Sequence, residues 1–188
     1  MRVISGSARG QRLKAPKGRA LRPTADRVKE ALFNILPHDL LGLRVLDLFA
    51  GTGNLSLEAL SRGAAEAILV ERSRSGAKAI HENLQRLGFS HRSRVWIAPV
   101  VKSLHLLARR GERFDLIFLD PPYERDWVPQ TLRAIAQGGL LRATGIVVAE
   151  HSVREEVAEN YGPLALKDQR RYGTTLLSFF GHREIKTP

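Results

Sequence analysis

The feature that most constrains the fold is a regular alternation of segment types between residues 44 and 149. Short apolar, β-prone runs at 44–49, 67–70, 94–98, 114–119 and 145–149 are separated by stretches of helical periodicity at about 54–61, 74–87, 101–110 and 127–136. Strands that alternate with helices pair in parallel through right-handed crossovers, so the pattern predicts a doubly wound α/β sheet. Two further runs, 164–171 and 174–180, are close enough to pair as a terminal antiparallel hairpin, following a short helix near 154–159. The expectation is a mostly parallel sheet of seven strands. A chain of 188 residues is long enough for one well-buried core of this kind and short for two.

Ahead of the alternation lies a different kind of sequence. Segments 2–5 and 11–14 flank Gly6 and Gly10 and suit a small hairpin or an extended arm, and 15–23 is rich in Pro, Gly and basic residues. Thr24 is placed to cap a helix with Asp26 in its first turn, and Val28, Ala31, Leu32, Ile35 and Leu36 form an apolar stripe that ends before Pro37. The organisation expected is a basic arm over 1–23 and a single domain over 24–188 that includes the docking helix and the terminal hairpin.

Charge gives the arm its meaning. The net charge is +11, and residues 1–30 hold nine basic side chains against Asp26 and Glu30, leaving +7 of that surplus at one end. Such a concentration favours a polyanionic partner, with Arg9, Arg12, Lys14, Lys17, Arg19, Arg22 and Arg27 as the candidate contacts. Cysteine is absent, which excludes a disulfide framework, a thiol nucleophile and a cysteine-ligated metal. The six histidines have no metal-ligand spacing, no serine sits in a nucleophile-elbow pattern, and no apolar run approaches a membrane span. Arg2 is not followed by the apolar run of a secretory signal, so a cytoplasmic location is expected.

The first strand–helix junction reads Asp47-Leu48-Phe49-Ala50-Gly51-Thr52-Gly53-Asn54. Its glycines permit a tight turn and close backbone approach to a ligand. Ser56 occupies the third glycine position of the dinucleotide fingerprint, and Asp47 puts a carboxylate ahead of the turn, so pyrophosphate is disfavoured. A ligand with a cationic amino-acid end fits better, and S-adenosylmethionine has one. Glu71 closes the second strand, 18 residues after Gly53, where a carboxylate can accept both hydroxyl hydrogens of a ribose.

The run 114–119 leads directly into Asp120-Pro121-Pro122-Tyr123. Two prolines stop the strand rigidly, and an acid and a flat ring then stand where ligands of open parallel sheets bind. An exocyclic amino group on a nucleobase is a poor nucleophile because its lone pair is delocalised into the ring. Asp120 and the Pro121 carbonyl can accept its two N–H bonds and orient that lone pair towards a methyl donor, with Tyr123 stacking on the base. Glu150 and His151 close the fifth strand and carry no specific role in this scheme.

Together, 47–53 and 120–123 resemble the amino-methylating class of S-adenosylmethionine-dependent methyltransferases, whose sheet is Rossmann-like. The N-terminal segments 2–6, 9–14 and 21–36 are similar to the bacterial 16S ribosomal RNA (guanine-N2)-methyltransferase family. The resemblance implies donor contacts at Asp47, Phe49, Ala50, Gly51, Gly53 and Glu71 and catalysis by Asp120, Pro121 and Tyr123. It also implies that the arm addresses 16S ribosomal RNA within small-subunit particles, at a guanine of the 966 type. No metal is expected from the histidine spacing and the absence of cysteine, and the oligomeric state is left open with a monomer favoured. One departure is visible: the acidic residue common after the third strand is replaced here by the run Ile97-Ala98-Pro99-Val100. Methylation of adenine N6 in DNA or RNA, which uses the same D-P-P-Y chemistry, and a nonenzymatic RNA-binding protein on a methyltransferase scaffold remain as alternatives.

Overall fold

The computed structural model describes residues 1–15, 23–122 and 126–183. The chain divides into two compact units, Met1–Val100 and Val101–Pro188.

In the first unit the described part of the arm, 1–15, forms a narrow hairpin. An antiparallel bridge joins Arg2 and Arg12, the Val3 amide donates to the Gln11 carbonyl at 2.9 Å, and the Leu13 amide donates to the Met1 carbonyl at 3.1 Å. Gly6 sits at φ 80° with the backbone of Ser61 so close that a Cβ would lie 1.9 Å from its carbonyl oxygen. Only glycine fits there. Helix α1 runs Pro23–Ile35. It starts on a proline, whose fixed φ suits the first helical position and whose missing N–H is not needed there, so Thr24 lies inside the helix and not at its cap. The buried face comprises Val28, Lys29, Leu32, Phe33 and Leu36, whereas Ile35 is 39% exposed. The stripe is therefore rotated towards the bulky Phe33, over whose ring the Arg62 guanidinium lies 4.8 Å from the centroid.

Strands β1 (Arg44–Asp47), β2 (Glu66–Glu71) and β3 (Ser93–Ile97) pair in parallel in the order β3-β2-β1, with Asp47 opposite Leu69 and Glu71 opposite Ile97. Helices α2 (Asn54–Ser61) and α3 (Arg74–Leu87) connect them. Ser73 caps α3 by accepting the Gly76 amide at 2.9 Å, and Gly88 ends it in the left-handed conformation. β2 is buried from Ala67 to Val70, the continuous apolar run expected of a parallel strand covered on both faces.

The second unit contains α4 (Val100–Arg109), β4 (Phe114–Leu119), α5 (Trp127–Gly138), β5 (Leu141–Ser152), β6 (Asn160–Tyr161), β7 (Leu164–Tyr172) and β8 (Thr175–His182). Its strands are ordered β4-β5-β8-β7-β6. β4 and β5 pair in parallel, and the terminal hairpin β7–β8 is antiparallel as predicted. β5 is longer than the sequence pattern suggests because a bulge lets Phe114 pair with Leu141 and Leu116 with Ile146. The predicted helix near 154–159 does not form. The Ser152 carbonyl accepts the Glu155 amide at 3.0 Å while the Glu155 carboxylate accepts the Ser152 amide at 3.1 Å, closing a tight turn. The chain then enters β6, a two-residue strand that brings the strands among the described residues to eight where seven were expected.

Candidate active site

The glycine turn is built from the end of β1 outward. Gly51 (φ 57°) and Gly53 (φ 80°) both adopt left-handed conformations, and the Ala50 amide donates to the Val70 carbonyl at 3.0 Å, fastening the turn to β2. The predicted residues Asp47, Phe49, Ala50, Gly51 and Gly53 therefore fall on one strand end and its turn. Asp47 is only 2% exposed. Burial pushes its carboxyl up to about 6, aided by the nearby Glu71 charge and opposed by hydrogen bonds from the Ser56 hydroxyl and the Phe49 and Ser56 amides. The Ser56 hydroxyl donates to Asp47 Oδ2 at 2.8 Å. The serine that breaks the dinucleotide fingerprint is thus the hydrogen-bond partner of the carboxylate that precedes the turn.

Glu71 terminates β2, half-buried. Its Oε2 accepts the Gly51 amide at 2.8 Å and its Oε1 accepts the Ser73 amide at 2.7 Å. Each carboxylate oxygen keeps further acceptor capacity after one such bond. The side chain is therefore oriented by the turn it serves. Gly76 on α3 leaves it room, since a Cβ there would lie 2.8 Å from Glu71 Cγ.

A set of buried polar residues behind the turn was not anticipated from the sequence. Lys29, 2% exposed, donates to the Arg2 carbonyl at 2.6 Å and Asn54 Oδ1 at 2.9 Å and lies 3.3 Å from Glu58 Oε2. Glu58 also accepts the Ile4 amide at 2.7 Å, the Ser5 amide at 3.0 Å and Arg62 Nε at 3.0 Å. Asn83, fully buried on α3, accepts the Lys14 amide at 2.8 Å and donates to the carbonyls of Lys14 at 3.0 Å and Thr52 at 3.2 Å. The available signals were a lone acid, Glu58, in the otherwise uncharged α2 and a lysine flanking the α1 stripe. Lys29 accordingly leaves the set of basic groups open to a polyanion.

Of the candidate RNA contacts, Arg9, Arg12, Lys14 and Arg27 are exposed, and Lys14 pairs with Glu82 at 3.1 Å. Lys17, Arg19 and Arg22 lie outside the described residues. In the second unit, Asp120 is exposed one residue past β4 and Pro121 is buried. Tyr123 lies outside the described residues. His151 is buried in β5 with Nε2 2.8 Å from the Ser178 hydroxyl and Nδ1 3.1 Å from the Ser152 carbonyl. Gln169 Nε2 donates to that same hydroxyl at 2.8 Å. Burial lowers the histidine pKa and so favours the neutral ring, in which an Nδ1–H donates to the Ser152 carbonyl and Nε2 accepts from the Ser178 hydroxyl. Among the described residues no cluster of acids and histidines is arranged to hold a metal ion, and no helix is long and apolar enough to cross a membrane.

A parallel sheet with a glycine turn after its first strand and an acid closing its second is the arrangement of Rossmann-like methyltransferases. The yhhF protein of Escherichia coli superposes with a TM-score of 0.83 at 32% identity, covering 97% of each chain. SMU.776, solved in complex with SAH, shares the fold at 15% identity with a TM-score of 0.68 over 85% of this chain and 50% of its own. A family model described as conserved hypothetical protein 95 matches residues 1–181. The YlbH protein of Bacillus subtilis is 39% identical over 183 residues, covering 97% of this chain and all of its own. Ribosomal RNA small subunit methyltransferase D of Escherichia coli K12 is 37% identical over 155 residues, 81% of this chain and 75% of its own. The chain belongs to the family of ribosomal RNA small subunit methyltransferase D.

Proposed function

We propose that this protein methylates the N2 amino group of a guanine in 16S ribosomal RNA, with S-adenosylmethionine as donor. The observation that carries the reading is a pair of carboxylates closing two neighbouring strands, buried Asp47 on β1 and half-buried Glu71 on β2, with Glu71 held by the Gly51 amide of the turn. This set fits the donor: the negative potential of Asp47 favours a cationic amino-acid end, and Glu71 retains acceptor capacity for ribose hydroxyls. Phe49, Ala50, Gly51 and Gly53 supply the close backbone surface. When bound, S-adenosylmethionine supplies an electrophilic methyl group.

Asp120 and the Pro121 carbonyl accept the two N–H bonds of the target amino group, holding its lone pair in line and offsetting positive charge as it develops. Tyr123 stacks on the base. Arg9, Arg12, Lys14, Lys17, Arg19, Arg22 and Arg27 contact phosphates. Support for guanine over adenine, at a site of the 966 type, comes from family membership, since D-P-P-Y chemistry serves both bases. The same membership supports a cytoplasmic, monomeric enzyme acting on small-subunit particles, with 1–23 as its RNA-addressing arm.

Incubation with small-subunit particles lacking the modification, followed by nucleoside mass spectrometry, is expected to yield 2-methylguanosine. N6-methyladenosine as the product would replace the guanine assignment with the adenine one. No methylated nucleoside, together with no binding of S-adenosylhomocysteine, would leave an RNA-binding protein.

A further inference from the structure

We propose that Asn83 is a positioning residue that couples the two ligand sites, so that RNA held by the arm tightens methyl-donor binding at the glycine turn and the donor tightens RNA binding in return. The inference rests on the functional reading above and extends it to how the two substrates communicate.

Asn83 is 0% exposed, and its carboxamide bonds two backbone segments, with one bond accepted and two donated. Towards the arm it pairs with Lys14 as a neighbouring strand would, accepting that residue's N–H at 2.8 Å and donating to its carbonyl at 3.0 Å. Towards the turn it donates to the Thr52 carbonyl at 3.2 Å. Thr52 lies between Gly51 and Gly53, both left-handed, so a bond to this carbonyl holds the peptide that joins the two residues on which the shape of the turn depends. A buried amide cannot drop one partner without leaving a polar group unsatisfied. Moving Lys14 therefore moves or frees Thr52.

The other end of the arm is tied to the same turn by independent contacts. Ile4 and Ser5 donate to Glu58, the Ala8 amide donates to the Ser61 hydroxyl at 2.9 Å, and both acceptors lie on α2, which begins at the turn. Lys29 joins the Arg2 carbonyl to the Asn54 side chain at the first residue of α2. The exposed Arg9, Arg12 and Lys14 side chains thus project from a backbone whose position and that of the turn are set together. A ligand that orders one segment lowers the cost of ordering the other, and thermodynamic linkage makes the effect reciprocal.

The test is equilibrium dialysis of S-adenosylhomocysteine against wild type and Asn83→Ala, with and without saturating unmodified 16S ribosomal RNA. RNA is expected to tighten binding to wild type by about fivefold or more, within the usual range of coupling between sites. Asn83→Ala should bind more weakly and respond to RNA by less than about twofold. Its donor KM should rise while kcat at saturating donor stays within about twofold, a split that general destabilisation does not produce. Amide exchange in wild type probes the coupling without a variant: RNA should slow exchange at 51–53, and S-adenosylhomocysteine should slow it at 3–14. Unchanged exchange in both directions, or a wild-type affinity indifferent to RNA in an enzyme that methylates it, overturns the coupling alone. A wild type that binds no S-adenosylhomocysteine under either condition overturns the proposed function with it.

Discussion

Glu71 accepts the Gly51 amide at 2.8 Å across twenty residues of chain, so the acid that closes β2 and the turn that follows β1 hold one another in place. The ribose-binding role proposed for Glu71 requires a carboxylate oriented before the ligand arrives, and the glycine turn orients this one. Gly76 is part of the same device because it stands where any larger residue would press on Glu71.

Gly76→Ala separates stability from binding. In a helix, alanine is favoured over glycine by roughly 1 kcal/mol, yet the added Cβ would lie 2.8 Å from Glu71 Cγ and 2.9 Å from Cδ. The glutamate must swing away, giving up its bond to Gly51 or to Ser73. Calorimetry with S-adenosylhomocysteine is expected to show affinity lowered by about tenfold, equivalent to about 1.4 kcal/mol, with urea stability within about 1 kcal/mol of wild type. Wild-type affinity in the variant would remove Glu71 from the donor site.

Asp47 makes stability depend on pH in an unusual direction. Its carboxyl is raised from 3.8 in the unfolded chain to about 6 in the native protein. Between those values the native state holds a proton that the unfolded state has lost, so this group's contribution to stability falls as pH rises through that window. The loss is on the order of 3 kcal/mol. Asp47→Asn should flatten this component of the urea-denaturation profile between pH 4 and 7. Donor affinity should rise with pH through about 6 in wild type, as the carboxylate forms opposite a cation, and stay flat in the variant.

The alternation of strand and helix patterns was legible because parallel strands buried on both faces carry continuous apolar runs, as β2 does from Ala67 to Val70 and β4 from Leu116 to Leu119. The glycine turn was legible for the same reason that it works: few sequences permit two left-handed residues around Thr52. What stood out less was any feature made by residues distant in the chain. Asn83 meets Lys14 across 69 positions and Glu58 meets Ile4 across 54, so neither contact leaves a periodic trace. The segment at 152–155 turns where a helix was expected because a side chain, Glu155, takes the Ser152 amide, a local bond that competes with helical pairing.

Lys29→Met tests whether the basic N-terminal region has two kinds of cation. Lys29 is buried against Glu58, and removing one partner of a buried ion pair typically costs about 3–5 kcal/mol because the other charge is left uncompensated. Arg62 and the arm amides still reach Glu58, so the lower end of that range is expected in urea titrations. RNA affinity measured against salt should keep its slope in this variant, provided it is folded under the assay conditions. Arg9→Ala should lose roughly one phosphate's worth of slope. A slope reduced in Lys29→Met would mean that its ammonium reaches RNA after all.

Asp120 is exposed immediately after a strand buried from Leu116 to Leu119, held by a strand end that Pro121 prevents from continuing. If its carboxylate accepts an N–H of the target amino group and offsets charge that develops only during transfer, its removal should act on the chemical step and not on donor affinity. Asp120→Ala should therefore lower the single-turnover methylation rate by about 10²-fold or more, the scale of losing one preorganised electrostatic group, while S-adenosylhomocysteine affinity stays within about twofold. Asp120→Asn should fall between the two, because the amide keeps one acceptor oxygen but not the charge. Equal loss in Asn and Ala would make charge the whole contribution, and wild-type rates in both would remove Asp120 from catalysis.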